Sequence, residues 1–347
     1  MNSAITIKEI TDKSIWNNFL DISKLGYFLQ TWQWGDFLEL GLKKKVFRLG
    51  VYNNEQLVGV CLGSQEISRY GKFIYCARGP IINWEDKEQR VDILNSLIHF
   101  FKTKGYILLR VDPAIKKEDI QTHSTFKYVG FKDAVNFIQV ERAWMLDLTQ
   151  SEEEILNGMR KNTRYDLKKA QKVGVEVKLS QDKAEFEEFL NMLEGIANRK
   201  EFNMLPKSYL RAQFEILIKD GILKFFCAKY NGKIVAGGVF AFYNNEASYL
   251  HGASSNDVGD SQAPYLIQWE AIKHAKSLGI KDYNFWGVVE DKNYHPGYSG
   301  FGYSNFKKGF GGYLQEYMRT QDYAFNPLMY NLFRLNEWYR KIKYKGN

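Results

Sequence analysis

The sequence predicts a mixed α/β protein built as two related domains in tandem, and three observations carry that reading. At 347 residues the chain exceeds the size of one ordinary compact core. Its 45% apolar and 25% charged content suits large buried cores and excludes a disordered, collagenous or proline-linker protein. The third observation is an internal repeat: hairpin, strand, helix and strand follow one another twice, about 175 residues apart.

The first hairpin lies at residues 51–60, two apolar runs around a polar turn. Its counterpart at 228–237 turns at Asn231-Gly232, a pair that readily takes the positive φ of a two-residue turn. Strand-like runs follow at 73–77 and 247–252, then helical stretches at 87–104 and 265–278. Each helix stops at a glycine, Gly105 or Gly279, which suits a left-handed cap, and strands at 106–111 and 280–285 come next. Antiparallel hairpins leading into a strand–helix–strand unit predict mixed sheets with helices on their faces. The first domain is expected at 1–147 and the second at 148–325, where Ser151-Glu152-Glu153-Glu154 reads as a capping box. Residues 328–344 read as an amphipathic, aromatic helix with a basic end at Arg340, Lys341, Lys343 and Lys345. The segment 326–347 is expected to pack back onto the first domain.

A net charge of +8 points to nucleic acid, anionic lipid headgroups or a phosphorylated substrate, without choosing among them. Cys61, Cys76 and Cys227 sit in apolar runs without Cys-x-x-Cys spacing, so neither a disulfide framework nor structural zinc is expected. No apolar run has the length of a bilayer span, and residues 1–10 lack the core of a signal peptide; a soluble, cytoplasmic chain is expected.

Two segments carry candidate chemistry. On a helix, Arg160, Arg164, Lys168 and Lys172 recur every four residues as one cationic stripe, with Lys161 and Lys169 beside it. Such a stripe suits a phosphate backbone; the alternative is a solvated helix face. The second segment, Phe301-Gly302-Tyr303-Ser304-Asn305-Phe306-Lys307-Lys308-Gly309-Phe310-Gly311-Gly312, sets paired lysines between aromatics and glycines. A lysine against low-dielectric walls stabilises a developing oxyanion more than it would in water, whereas a glycine-rich hairpin with surface lysines is the structural alternative. The five histidines are scattered, and the Gly-x-Ser-x-Gly, P-loop and dinucleotide-binding patterns are absent. No metal and no cofactor are therefore expected.

These segments, with Gly252-Ala253-Ser254-Ser255, the run from Ala263-Pro264-Tyr265 to Ala271, Ala77-Arg78-Gly79-Pro80 and Leu109-Arg110-Val111-Asp112-Pro113, resemble the FemABX peptidyltransferases over nearly the whole chain. The resemblance implies a tandem pair of GNAT-like domains. It further implies transfer of an amino acid from aminoacyl-tRNA to the stem peptide of a peptidoglycan precursor, lipid II or its nucleotide-linked form. No run resembles the coiled-coil arm of the staphylococcal members, so the likeness is to the shorter FemX type.

Carried over by resemblance, Lys307, preceded by Phe306, binds the tRNA end and stabilises the oxyanion. Tyr209 falls at a substrate tyrosine, and His251 stands where the short enzymes have another. Trp34 and Arg78 are assigned to substrate binding, and Arg160, Lys161, Arg164, Lys168 and Lys308 to the tRNA. Leu38 and Leu205 replace two phosphate-gripping basic residues, which leaves open a different acceptor. Asp112, at a strand end, either takes the amine's proton or caps a turn.

Two other readings compete. One keeps the fold with another acyl donor, or an acceptor in cell-envelope polysaccharide synthesis. The other is a non-catalytic nucleic-acid or membrane-surface binder. The basic C-terminal helix either touches the inner membrane face or simply packs.

Overall fold

The computed structural model describes residues 5–23, 26–200, 204–255 and 261–343; Lys345, assigned above to the basic end, lies outside them. The chain forms two compact units, one of residues Met1–Glu141 with Glu316–Asn347 and one of Arg142–Gln315.

In chain order, β1 (Ile5–Glu9), α1 (Lys13–Ser23) and α2 (Trp32–Asp36) precede β2 (Val46–Asn53), β3 (Gln56–Ser68), β4 (Gly71–Cys76) and β5 (Ile81–Ile82). Then come α3 (Lys87–Lys102), β6 (Leu108–Val111), α4 (Ile120–Val129) and β7 (Lys132–Asp133). The second unit opens with β8 (Arg142–Asp147), α5 (Glu152–Gly158), α6 (Lys161–Lys172), β9 (Glu176–Ser180), α7 (Lys183–Lys200) and α8 (Lys207–Leu217). It continues through β10 (Leu223–Tyr230), β11 (Lys233–Tyr243), β12 (Glu246–Ser254), α9 (Ala263–Ser277), β13 (Asp282–Gly287), α10 (Phe301–Gly309) and β14 (Tyr313–Glu316). The chain ends with β15 (Gln321–Ala324) and α11 (Pro327–Lys343).

Each unit holds one mixed sheet. The first runs β1-β2-β3-β4-β6-β15-β7, with β5 on β3, and the second β14-β8-β13-β12-β11-β10-β9. The repeat read from the sequence is present in both. Strands β2, β3 and β4 are antiparallel and β4 is parallel to β6, just as β10, β11 and β12 are antiparallel and β12 is parallel to β13. The local signals explain the turns: Asn231 and Gly232 take φ of 50° and 76°, and the helix-ending Gly105 and Gly279 take 76° and 74°. Ser151 and Glu154 form the capping box that opens α5.

The domain limits differ from those expected at 147 and 325. Strand β8 pairs antiparallel with β13, Asp147 opposite Asp282, and its Leu146 lies in the second unit's core. Strand β15 pairs antiparallel with β6, Gln321 opposite Val111, in the first unit. The repeated units therefore exchange their last sequential strand. On the β15 side the exchange brings a charge pair into the core. Arg110 Nε and a terminal guanidinium nitrogen donate to the two Asp322 oxygens at 2.7 and 2.8 Å.

Helix α11 packs on the first unit through Tyr330 and Phe333, which join Phe73, Tyr75, Ile107 and Leu108 in one cluster. Full burial of such side chains stabilises by roughly 1.5–3 kcal/mol each. Glu337, one turn further on, accepts two bonds of 3.0 Å from Arg110.

Candidate active site

The expected catalytic lysine stands in the second unit on α10, a helix whose end is shaped by glycines. A Cβ at Gly309 would lie 2.4 Å from Thr163 Oγ1 on α6, and one at Gly312 2.0 Å from the Met145 carbonyl oxygen. Gly311 and Gly312 also take φ of +82° and +91°, so the chain turns away from α10 where no side chain fits. The junction is closed by Trp144, whose Nε1 donates to the Gly311 carbonyl at 2.6 Å, and by the Arg160 N–H, which donates to the Gly309 carbonyl at 2.9 Å.

Lys307 points inward from this helix and is 9% exposed. Its Nζ donates to the Gly287 carbonyl at the end of β13, 2.7 Å away, and lies 5.1 Å from the centre of the Tyr303 ring. Among the described residues no carboxylate forms an ion pair with it. Burial, which penalises the charged form, pushes the ammonium down to about 7 from its usual 10.5. Phe306 packs against Tyr265 and Phe310, ring centres 5.0 and 5.3 Å away, so it walls the helix into the core.

Lys308, expected to face tRNA, is instead held by its own unit. Its Nζ sits 4.0 Å from the Tyr294 ring centre, 5.2 Å from that of Trp144, and 3.7 Å from Asp291 Oδ1.

The cationic stripe is split in the same way. Arg160 lies before the first turn of α6 in extended conformation and donates to Asn305 Oδ1 at 2.6 Å and to the Tyr294 hydroxyl at 3.1 Å. Arg164 donates to the carbonyls of Asn157 and Leu156, at 3.1 and 3.3 Å, and of Met159, closing the carboxyl end of α5. Lys161, Lys168 and Lys172 remain exposed, while Thr163, Leu167 and Ala170 bury the opposite face.

In the first unit, Asp112 is 1% exposed, and both of its oxygens are engaged. Oδ2 accepts from the Tyr75 hydroxyl at 2.6 Å and Oδ1 from the Arg78 N–H at 2.7 Å. Burial raises its pKa against the opposing pull of the Arg78 charge. Arg78, with φ of 52°, is equally buried. Its guanidinium donates to the Val140 carbonyl at 2.7 Å and stacks 4.7 Å from the Tyr317 ring centre. Trp34 and Leu38 are core residues, Trp34 lying 4.9 Å from Phe37 by ring centres. Elsewhere in the second unit, Tyr209 is half-buried in the first turn of α8 and Leu205 just before it is exposed. His251 lies on β12 opposite Val239, and burial lowers its pKa to about 4, leaving a neutral imidazole at pH 7.

The structure thus gathers Arg160, Phe306, Lys307 and Lys308 around α10 and gives Arg78 and Asp112 a shared hydrogen bond in the other unit. Tyr303 and Asn305 fell inside the 301–312 segment but were given no role, although Tyr303 lies four residues before Lys307 on the same helix face. Trp144 and Tyr294 were missed.

The FemAB family matches residues 11–231 and 221–337. This chain belongs to the FemAB family. Within it, a lipid II:glycine glycyltransferase of Staphylococcus epidermidis is 22% identical over 381 residues, covering 88% of this chain and 90% of that protein. The crystal structure of FemX matches this FemAB chain with a TM-score of 0.85 at 20% identity, over 94% of this chain and 99% of that one. A tandem GNAT protein from the clavulanic acid biosynthesis pathway matches at 0.55 and 11% identity, over 93% and 99%. The fold is therefore the tandem GNAT-like pair that the resemblance implied.

Proposed function

We propose that this FemAB-family chain transfers an aminoacyl group from aminoacyl-tRNA to an amine on the stem peptide of a peptidoglycan precursor, with Lys307 as the electrostatic catalyst. The observation that carries the reading is the buried Lys307 ammonium, which has a backbone carbonyl and an aromatic ring beside it and no carboxylate partner among the described residues. The naming of a staphylococcal relative as a lipid II:glycine glycyltransferase supports the acceptor class.

An aminoacyl ester is already activated, so attack by a neutral amine needs positioning and a countercharge. The amine nitrogen forms the new bond to the ester carbonyl carbon, the carbonyl oxygen becomes negative beside Lys307, and collapse expels the ribose oxygen. The amine gives up one proton and the ribose hydroxyl gains one, so no covalent enzyme intermediate is required. The arriving negative charge raises the lysine's pKa, strengthening the countercharge as the barrier is climbed.

The exposed lysines of α6, Lys161, Lys168 and Lys172, supply the surface for the tRNA backbone. Asp112 has its oxygens committed to Tyr75 and Arg78, which favours the turn-holding role over proton transfer.

The test is incubation of the purified chain with a panel of aminoacyl-tRNAs and with lipid II or the nucleotide-linked precursor. Product carrying one added amino acid, lost on nuclease treatment and reduced at least a hundredfold in Lys307→Met, is the expected result. No transfer across the panel, or transfer that survives nuclease, overturns it.

A further inference from the structure

The last helix, α11, has two apolar faces, and the fold uses only one. Tyr330 and Phe333 are buried, and Glu337 continues the same face toward Arg110. On the opposite side Leu328, Leu332, Leu335, Tyr339 and Ile342 recur at spacings of four and three, which places them in one stripe along the helix. They are 66, 40, 61, 60 and 54% exposed, with Trp338 beside them at 56%. A contiguous row of large apolar side chains on a soluble surface marks a contact site.

The charges around the stripe choose its partner. Arg340 and Lys343 lie on the same helix beside the stripe; Arg334 donates to the Tyr330 hydroxyl and Lys341 to the Val135 carbonyl on the packed side, and the helix's lone acidic residue, Glu337, is engaged by Arg110. A cavity of about 300 Å³ opens at this end, lined by Arg319, Arg334, Trp338 and Lys341 together with Asp133. Pairing two copies of the stripe would set the basic flank of one helix against that of the other, where α11 itself carries no acidic residue but Glu337 to offset it. An anionic bilayer surface offers the complementary chemistry: an acyl boundary for the leucines, a headgroup layer for Trp338 and Tyr339, and phosphates for Arg340 and Lys343. The helix is also too short and too polar to span; among the described residues none is long and apolar enough to cross a membrane.

We propose that α11 lies flat on anionic membrane, with the Leu328–Ile342 stripe inserted at the headgroup boundary. The inference stands apart from the transfer reaction, because its readout is vesicle binding.

Full-length protein should cosediment with vesicles of phosphatidylcholine mixed with phosphatidylglycerol at least tenfold more than with phosphatidylcholine alone, and salt should weaken the binding. Leu335→Glu/Ile342→Glu should abolish binding without changing the thermal midpoint, since both side chains are exposed. Arg340→Glu/Lys343→Glu should remove the preference for anionic lipid. Three results would overturn the proposal: no binding to either vesicle, binding that Leu335→Glu/Ile342→Glu leaves intact, or a dimer in lipid-free solution that the same double variant dissociates.

Discussion

Lys307 carries a cost that a structural lysine would not. With a folded pKa near 7 against 10.5, the native state has released a proton that the unfolded chain still binds between those two values. Stability should therefore rise with pH from about 7 to about 10, each unit of pKa difference amounting to about 1.4 kcal/mol. Below pH 7 both states are protonated and the burial penalty is fully present. Lys307→Met should flatten this dependence and raise the thermal midpoint most at pH 6; identical pH profiles of melting for both proteins would contradict the burial argument. The same pKa sets a rate prediction. If the cation is the active form, kcat/KM for transfer should fall as pH climbs through about 7. Lys307→Arg, which stays charged, should keep some activity and lose that alkaline limb. A neutral lysine acting as base would give the reverse, a rising limb and a dead arginine variant.

The contrast between α6 and α10 shows what a helix pattern conveys and what it conceals. From Arg164 onward the four-residue repeat of cations lies on one side of α6, because side chains four apart share a face on any helix, while Arg160 precedes the helix in extended conformation. The repeat cannot tell which of them meets solvent. Arg164 is half-buried against the last carbonyls of α5, a partner set by folding; Arg160 stays exposed while donating to Asn305, and Lys168 and Lys172 are exposed too. The two halves should separate by experiment. Arg164→Ala leaves helix-end carbonyls without a donor and should lower stability by about 1–2 kcal/mol. Lys168→Glu/Lys172→Glu should leave the melting midpoint alone, raise KM for aminoacyl-tRNA and reduce its salt dependence. Lys307 was legible only through its motif. Its burial depends on Tyr303, Gly287 and the fit of Gly309 against Thr163, and of these only Tyr303 lay within reach of helical spacing.

At the scale of the whole chain, the hairpins, the helix-ending glycines and the capping box were readable because each is decided within a few residues. The exchange of β8 and β15 was not. Its decisive pair, Arg110 with Asp322, is separated by 212 residues, and nothing local to either strand specifies the partner. The exchange makes the repeat interdependent. A fragment ending at residue 147 carries the whole first copy of the repeat yet lacks β15, leaving β6 with an open edge and Arg110 without its carboxylates. Such a fragment should show no cooperative thermal transition, whereas an independent first domain would melt as a unit. In the full chain, Arg110→Met strands the buried Asp322 and the half-buried Glu337 without their cation and should cost about 3–5 kcal/mol. Adding Asp322→Leu and Glu337→Leu removes those charges and should recover most of that loss, measured as the denaturant midpoint. Recovery would show that the single variant's loss is the cost of stranded charge, with backbone pairing and the packing of Tyr330 and Phe333 sufficient to keep β15 in the first sheet; a triple variant as weak as the single one would show that the exchange needs the ion-pair network itself.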